Sequence, residues 1–298
     1  MPNKGLKKII RQKIAFIDAI PDTFINQTIR GAESPLFDVI VSQFLDKLEV
    51  KDGVILSSQN NYRIVGAIDK AWATFQLKNG IEIINAHISN FGTIVGNNIK
   101  YYQDILTKNK TFITKAKNIT SVINRRLGIN ADGSLIKSGY MGGILEDVSV
   151  RNQIKEFSIR AVANGNGFDD TKANLAEFIK GNDEKLGVLR KYYRNIAYDT
   201  YKQIDSMQNK LFGEEFELTY FVYDGNIIKT TRKFCRTHVG LIFTNKQAEE
   251  WKDDPDLTAA PLNYEPLVDL GGYGCRHIIR YLTQEMAEDL DPTLKAIK

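Results

Sequence analysis

Residues 184–211 read EKLGVLRKYYRNIAYDTYKQIDSMQNKL, and this stretch decides the fold class. Its apolar residues Leu186, Leu189, Tyr193, Ile196, Ala197, Tyr201, Ile204, Met207 and Leu211 recur at three- and four-residue steps. That spacing places them on one face of an α-helix, with the charged residues on the other. At about 1.5 Å per residue the helix is near 40 Å long. One helix cannot bury such a stripe alone, so the chain around it must supply other helices.

Upstream of this stretch, Val150, Ile154, Phe157 and Ala161 predict a helix over 145–163, stopped by Asn-Gly-Asn-Gly at 164–167. Phe168, with Asp169 and Asp170 as N-cap candidates, opens a shorter helix carrying Leu175, Phe178 and Ile179. Tyr62, Val65, Ile68, Trp72 and Phe75 mark another, expected to end in a left-handed cap at Asn79-Gly80. Residues 81–125 continue helical, and loop residues fill 128–144. Residues 5–50 read as helical segments broken at Ile20-Pro21-Asp22 and Ser34-Pro35, followed by a turn at Asp52-Gly53.

Downstream, the texture changes at Gly213. Residues 216–223 (FELTYFVY) are aromatic and β-branched, Asp224-Gly225-Asn226 is a turn signal, and 227–231 is the expected return strand. Thr244 and Gln247 have capping-box spacing. Residues 271–274 (Gly-Gly-Tyr-Gly) precede an extended piece over 275–281. The expected fold is therefore mainly α, a long-helix body followed by a small α+β C-terminal unit with a β-hairpin. Along the chain it divides into 1–140, 141–212 and 213–298.

Composition narrows the function. With 298 residues, 43% apolar, the chain is neither disordered nor short of a core. Two cysteines cannot staple a fold of this size, and no apolar run reaches the roughly 20 residues of a membrane span. Residues 1–13 lack the apolar segment of a secretory signal. The formal charge of +4 does not mark a dedicated nucleic-acid binder. It is unevenly spread, however. Lys4, Lys7, Lys8, Arg11 and Lys13 form one basic block, and Lys100, Lys108, Lys110, Lys115, Lys117, Arg125 and Arg126 form a second. Asp253, Asp254, Asp256, Glu285, Glu288, Asp289 and Asp291 make the C-terminal end acidic. Basic helical faces can meet a polyanion, and they are also what any solvated helix presents.

Both cysteines and two of the three histidines fall within 235–277. Residues 235–238 read Cys-Arg-Thr-His, a chelating spacing in a turn. Residues 275–277 read Cys-Arg-His, which puts two side chains on one face of an extended strand. Cys235, His238, Cys275 and His277 together supply the Cys2His2 set that tetrahedral structural zinc accepts. Competing readings are a Cys235–Cys275 disulfide, buried unligated thiols with locally bonded histidines, and a Cys–His catalytic pair lacking an orienting third group. Arg232, Arg236, Arg276 and Arg280 stand close by, for phosphate or, more in keeping with the acidic C-terminal end, for pairing with Asp254, Asp256 and Asp269. His87 lies on an apolar face and reads as a core histidine. No Walker, Gly-x-Ser-x-Gly or His-Glu-x2-His pattern occurs.

Three segments resemble the tailed-bacteriophage minor head (head morphogenesis, Mu-type) proteins. The first runs from Val150 to Phe168 and through 175–201, with Gly-Asn-Asp-Glu-Lys-Leu at 181–186 and Tyr192-Tyr193. The second is Thr-Arg-Lys-Phe-Cys at 231–235, where the family often carries proline in place of Lys233. The third is Gly-Gly-Tyr-Gly-Cys-Arg-His at 271–277, the most specific of the three. The resemblance spans roughly residues 145–290. It implies a virion protein, linked to the portal or capsid interior, that acts in head assembly without catalysis. Portal or capsid proteins, copies of the same chain and packaged DNA are the implied partners, and no membrane is. One structural zinc suits such a small unit. An enzyme acting on DNA, a nuclease or transferase, is the alternative. It needs His238, His277 or the arginines in an open cleft.

Overall fold

A computed structural model describes residues 3–107 and 109–297, with side chains described for 11–107 and 109–294. The side chains of Lys4, Lys7 and Lys8, and all of Lys108, lie outside the described residues. Helix makes up 67% of the chain, which sets the class as mainly α with a small sheet. Among the described residues no helix is long and apolar enough to cross a membrane.

Helix α1 (Asn3–Phe24) runs through Pro21, a π-helical turn (Ile25–Ile29) follows, and α2 (Arg30–Gln43) contains Pro35. The expected breaks at these prolines are absent. An interior proline costs about 3 kcal/mol. Leu36 and Ile40 alone, both fully buried, return roughly 1.5–3 kcal/mol each. Strands β1 (Val50–Lys51) and β2 (Val54–Ile55) close a hairpin over Asp52-Gly53, whose φ values of 51° and 76° are those of a type I′ turn.

Helices α3 (Gln59–Val65) and α4 (Ala67–Phe75) lead through a second π-helical turn (Gln76–Gly80) into α5 (Ile81–Ile105). The chain does not stop at Gly80 as the sequence suggests. Gly80 is not left-handed there; its missing Cβ admits the Gln76 side chain and Leu145. Next come α6 (Phe112–Leu127), α7 (Tyr140–Glu146), α8 (Ser149–Asn164), α9 (Phe168–Lys180) and α10 (Val188–Glu215). Gly128 and Gly165 end α6 and α8 in the left-handed conformation, at φ 75° and 59°. Gly167 takes the N-cap position of α9, so Asp169 and Asp170 instead stand in its first turn, at the positive end of the helix dipole. With 28 residues α10 is about 42 Å long.

The rest is β3 (Tyr220–Asp224), α11 (Lys233–His238), β4 (Ile242–Thr244), α12 (Asn245–Glu249), α13 (Pro266–Asp269), β5 (Ile278–Leu282) and α14 (Gln284–Leu290). Thr244 and Gln247 form the expected capping box on α12. The sheet order is β4-β3-β5, antiparallel throughout, with Phe221 opposite Phe243 on one side and Tyr281 on the other. Residues 227–231 are not the return strand. A central strand buried at Phe221, Val222 and Tyr223 requires apolar neighbours, and 278–282 supplies them where Lys229, Thr230 and Thr231 cannot.

By contact the chain forms two compact units of interleaved sequence. One comprises 1–21, 89–134 and 197–298; the other comprises 22–88 and 135–196. In the second, α2 packs on α4 and α9, and α8 packs on α3 and α4. Its core includes Leu36, Ile68, Trp72, Ile154, Leu175 and Leu189. In the first, Tyr101, Tyr102, Phe112 and Phe212 from helices join Phe221, Tyr223, Phe234, Trp251 and Tyr281 from the sheet region.

Candidate metal centre

The sheet positions the site. Tyr223 pairs with Ile279, two residues beyond His277, so its ring stacks on the His277 ring at 5.4 Å and 17°. The two-residue step from Cys275 to His277 lets the His277 backbone N–H donate to Cys275 Sγ at 3.4 Å. Arg232 is the N-cap residue of α11, which places Cys235 in that helix's first turn. The two sulfurs come within 3.9 Å, and Cys275 Sγ lies 3.6 Å from His277 Nδ1. One ligand atom from each of Cys235, Cys275 and His277 falls within 4.8 Å of the others. Both cysteines are free, so the disulfide reading does not describe this structure.

Gly271 explains part of the Gly-Gly-Tyr-Gly run. A Cβ there would collide with Cys235 Sγ and sit 3.2 Å from Cys275 Sγ. Arg232 ties the two cysteine segments together by donating to the carbonyls of Gly271 at 3.1 Å and Tyr273 at 2.5 Å. The bond between the sulfurs, together with burial, keeps the Cys235 thiol protonated. Accepting that bond, and facing His277, Cys275 is held as the thiolate, well below the usual thiol range. Tyr223, pushed far up by burial, keeps its proton and donates to Cys235 Sγ at 3.3 Å.

The three residues could hold a metal ion, and two of their three donor-to-donor edges match those of a tetrahedral site. Zinc–sulfur bonds of about 2.3 Å and zinc–nitrogen bonds of about 2.05 Å imply S···S and S···N edges of about 3.8 and 3.6 Å. The sulfur–sulfur and sulfur–nitrogen separations are 3.9 and 3.6 Å.

His238 is not part of this cluster. Its Nδ1 lies 2.6 Å from the Phe234 carbonyl, one helical turn back, and its ring stacks on Phe234 at 4.1 Å and on Phe243 at 5.1 Å. The helical conformation of 233–238 turns the Cys-x2-His spacing into a packing contact rather than a chelate. The arginines also depart from expectation. Arg236 donates to the carbonyls of Ile228, Lys229 and Thr231, and Arg276 stacks over Tyr198 at 4.7 Å. Arg280 is fully buried on Asp205, a residue the sequence did not single out. Asp256 pairs with Lys233 instead, while Asp254 and Asp269 accept local backbone N–H groups. Tyr223 also went unnoticed in the sequence. Its place beside His277 depends on strand register, which no local pattern encodes.

A cavity of about 240 Å³ lies beside the cluster, lined by Thr230, Thr231, Arg232, Arg276 and the three ligand residues, with Ile228 and Gly274. The whole forms a Cys2His corner beside the three-stranded sheet. Compared with protein-family models, curated proteins and solved structures, the chain finds no match.

Proposed function

We propose that the chain is a structural protein of a tailed-phage particle, a minor head protein that acts in head assembly at the portal or inner capsid wall. One observation carries the reading. The two segments that resemble the family's signatures, 231–235 and 271–277, interlock at a single point. Arg232 of the first holds two carbonyls of the second, and their cysteines meet across 40 positions of sequence. Such a clamp ties two segments distant in sequence onto one core, which is a structural rather than a catalytic task. Cys235, Cys275 and His277 hold one zinc in this reading. Copies of the chain and portal or capsid subunits are its partners, and the basic residues Lys115, Lys117, Arg125 and Arg126 of α6 tolerate packaged DNA.

The test is particle composition. Mass spectrometry of purified particles is expected to find the chain at a fixed low copy number, and its absence from the particle would sink the proposal. The cavity lined by Arg232 and Arg276 favours one second reading, an enzyme acting on DNA. That reading requires His277→Ala to abolish nuclease or transferase turnover while the fold survives.

A further inference from the structure

We infer that Tyr223 is the fourth corner of the metal centre, which is then a closed tetrahedral site formed by two cysteine sulfurs, one His277 ring nitrogen and the Tyr223 phenol oxygen. The inference rests only on the zinc-binding part of the reading above, not on the particle.

The distances are those of a coordination shell. With a metal–oxygen bond of about 2.0 Å and a metal–sulfur bond of about 2.3 Å, a tetrahedral S···O edge is about 3.5 Å. Tyr223 Oη lies 3.3 Å from Cys235 Sγ and 3.7 Å from Cys275 Sγ, straddling that value. Together with the sulfur–sulfur and sulfur–nitrogen separations, four edges of one tetrahedron fall between 3.3 and 3.9 Å. A phenol donates one proton and therefore satisfies one sulfur at a time; a cation at the centre satisfies all four atoms together.

Among the described residues no other His, Cys, Asp or Glu side chain competes for that corner. His238 Nδ1 faces the Phe234 carbonyl. His277 Nε2 is buried with no hydrogen-bond partner, so no oxygen acceptor fixes the ring's tautomer. Tyr223 is fully buried and does not line the neighbouring cavity. Ligation by it closes the centre from the inside, and a site with four protein ligands is structural; a catalytic one keeps a place for water. Two thiolates, a phenolate and Zn²⁺ leave one negative charge, and Arg232 stands beside the cluster to offset it.

The experiment compares reduced, metal-free full-length chain with Tyr223→Phe and His238→Phe, titrated with Zn²⁺ and with Co²⁺. Wild type is expected to take about one metal per chain and to release about two protons per zinc, from Cys235 and Tyr223, with growth of the ultraviolet band of tyrosinate. Loss of even an outer partner of a metal ligand costs 10–100-fold in affinity, so Tyr223→Phe is expected to bind zinc at least about tenfold more weakly. It should release about one proton and shift the visible Co²⁺ spectrum. His238→Phe should match wild type in all of these. An unchanged affinity, proton count and spectrum in Tyr223→Phe overturns the inference, as does a wild-type chain that binds no metal. If Tyr223→Phe does not fold, the wild-type tyrosinate band decides: its absence on zinc addition overturns the assignment. None of these outcomes depends on the chain's presence in particles, so the two proposals fail separately.

Discussion

Arg280 and His87 are both ionisable side chains with no exposure to solvent, one in each unit, and the protein accommodates them in opposite ways. Arg280 keeps its charge. Two of its nitrogens donate to Asp205 at 2.7 and 2.9 Å, and Asn98 donates to the same carboxylate at 3.0 Å and to Gln208 at 2.9 Å. His87 gives its charge up. Its ring stacks on Phe24 at 4.1 Å, and burial lowers its pKa to about 3. A guanidinium cannot shed its proton near neutral pH, so burial demands a counter-charge; an imidazole can, so its burial does not. Lys202 stands between the two. It is paired with Asp18 at 3.1 Å, yet its pKa is still lowered, because burial outweighs the attraction.

The contrast breaks most sharply at Asp205. Asp205→Asn leaves a buried guanidinium without its counter-charge, and urea unfolding should show a loss of about 3–5 kcal/mol. The double change Asp205→Leu with Arg280→Met should recover most of that loss, since it removes both charges together. Near-equal stabilities of wild type and Asp205→Asn would show that the charge is screened and that the two units do not differ.

A smaller effect is expected at His87, and only in acid. The unfolded chain protonates this ring near pH 6.5 and the folded one only near 3. Between those values the unfolded state binds more protons, so stability falls as pH drops through that window. Near pH 5 the loss is roughly 2 kcal/mol, from about 1.4 kcal/mol per pH unit. His87→Leu should unfold with a flatter dependence between pH 6.5 and 4. Parallel curves for the two proteins would remove the neutral-imidazole account.

The smallest effect belongs to the intermediate case. Asn226 donates to Asp18 at 2.7 Å, so this carboxylate keeps a partner when Lys202 is removed. Lys202→Met should change stability by no more than about 1 kcal/mol in either direction. A large loss in calorimetry would mean that Asp18 depends on Lys202 as strongly as Arg280 does on Asp205.

The same divide separates what could be read along the chain from what could not. The helices over 149–164 and 188–215 follow from apolar spacing, and the Gly165 cap and the Thr244–Gln247 box follow from residues a few positions apart. Cys235, Cys275 and His277 were visible as chelating letters. His238 was misplaced because spacing alone does not say whether four residues form a turn or a helical packing contact. The return strand was misplaced because 227–231 follows the turn in sequence but lacks the apolar faces a central strand needs.

The amino-acid sequence determined the helical body and the chemical identity of the cysteine–histidine corner, because helix bonds run between residues four apart and a ligand's chemistry travels with its side chain. Only the tertiary structure decided that β3 lies between β4 and β5, that Tyr223 faces the two sulfurs, and that Arg280 meets Asp205 75 positions away. Those choices depend on register and burial over long loops. Their free energy comes from contacts that exist only once the whole core has closed.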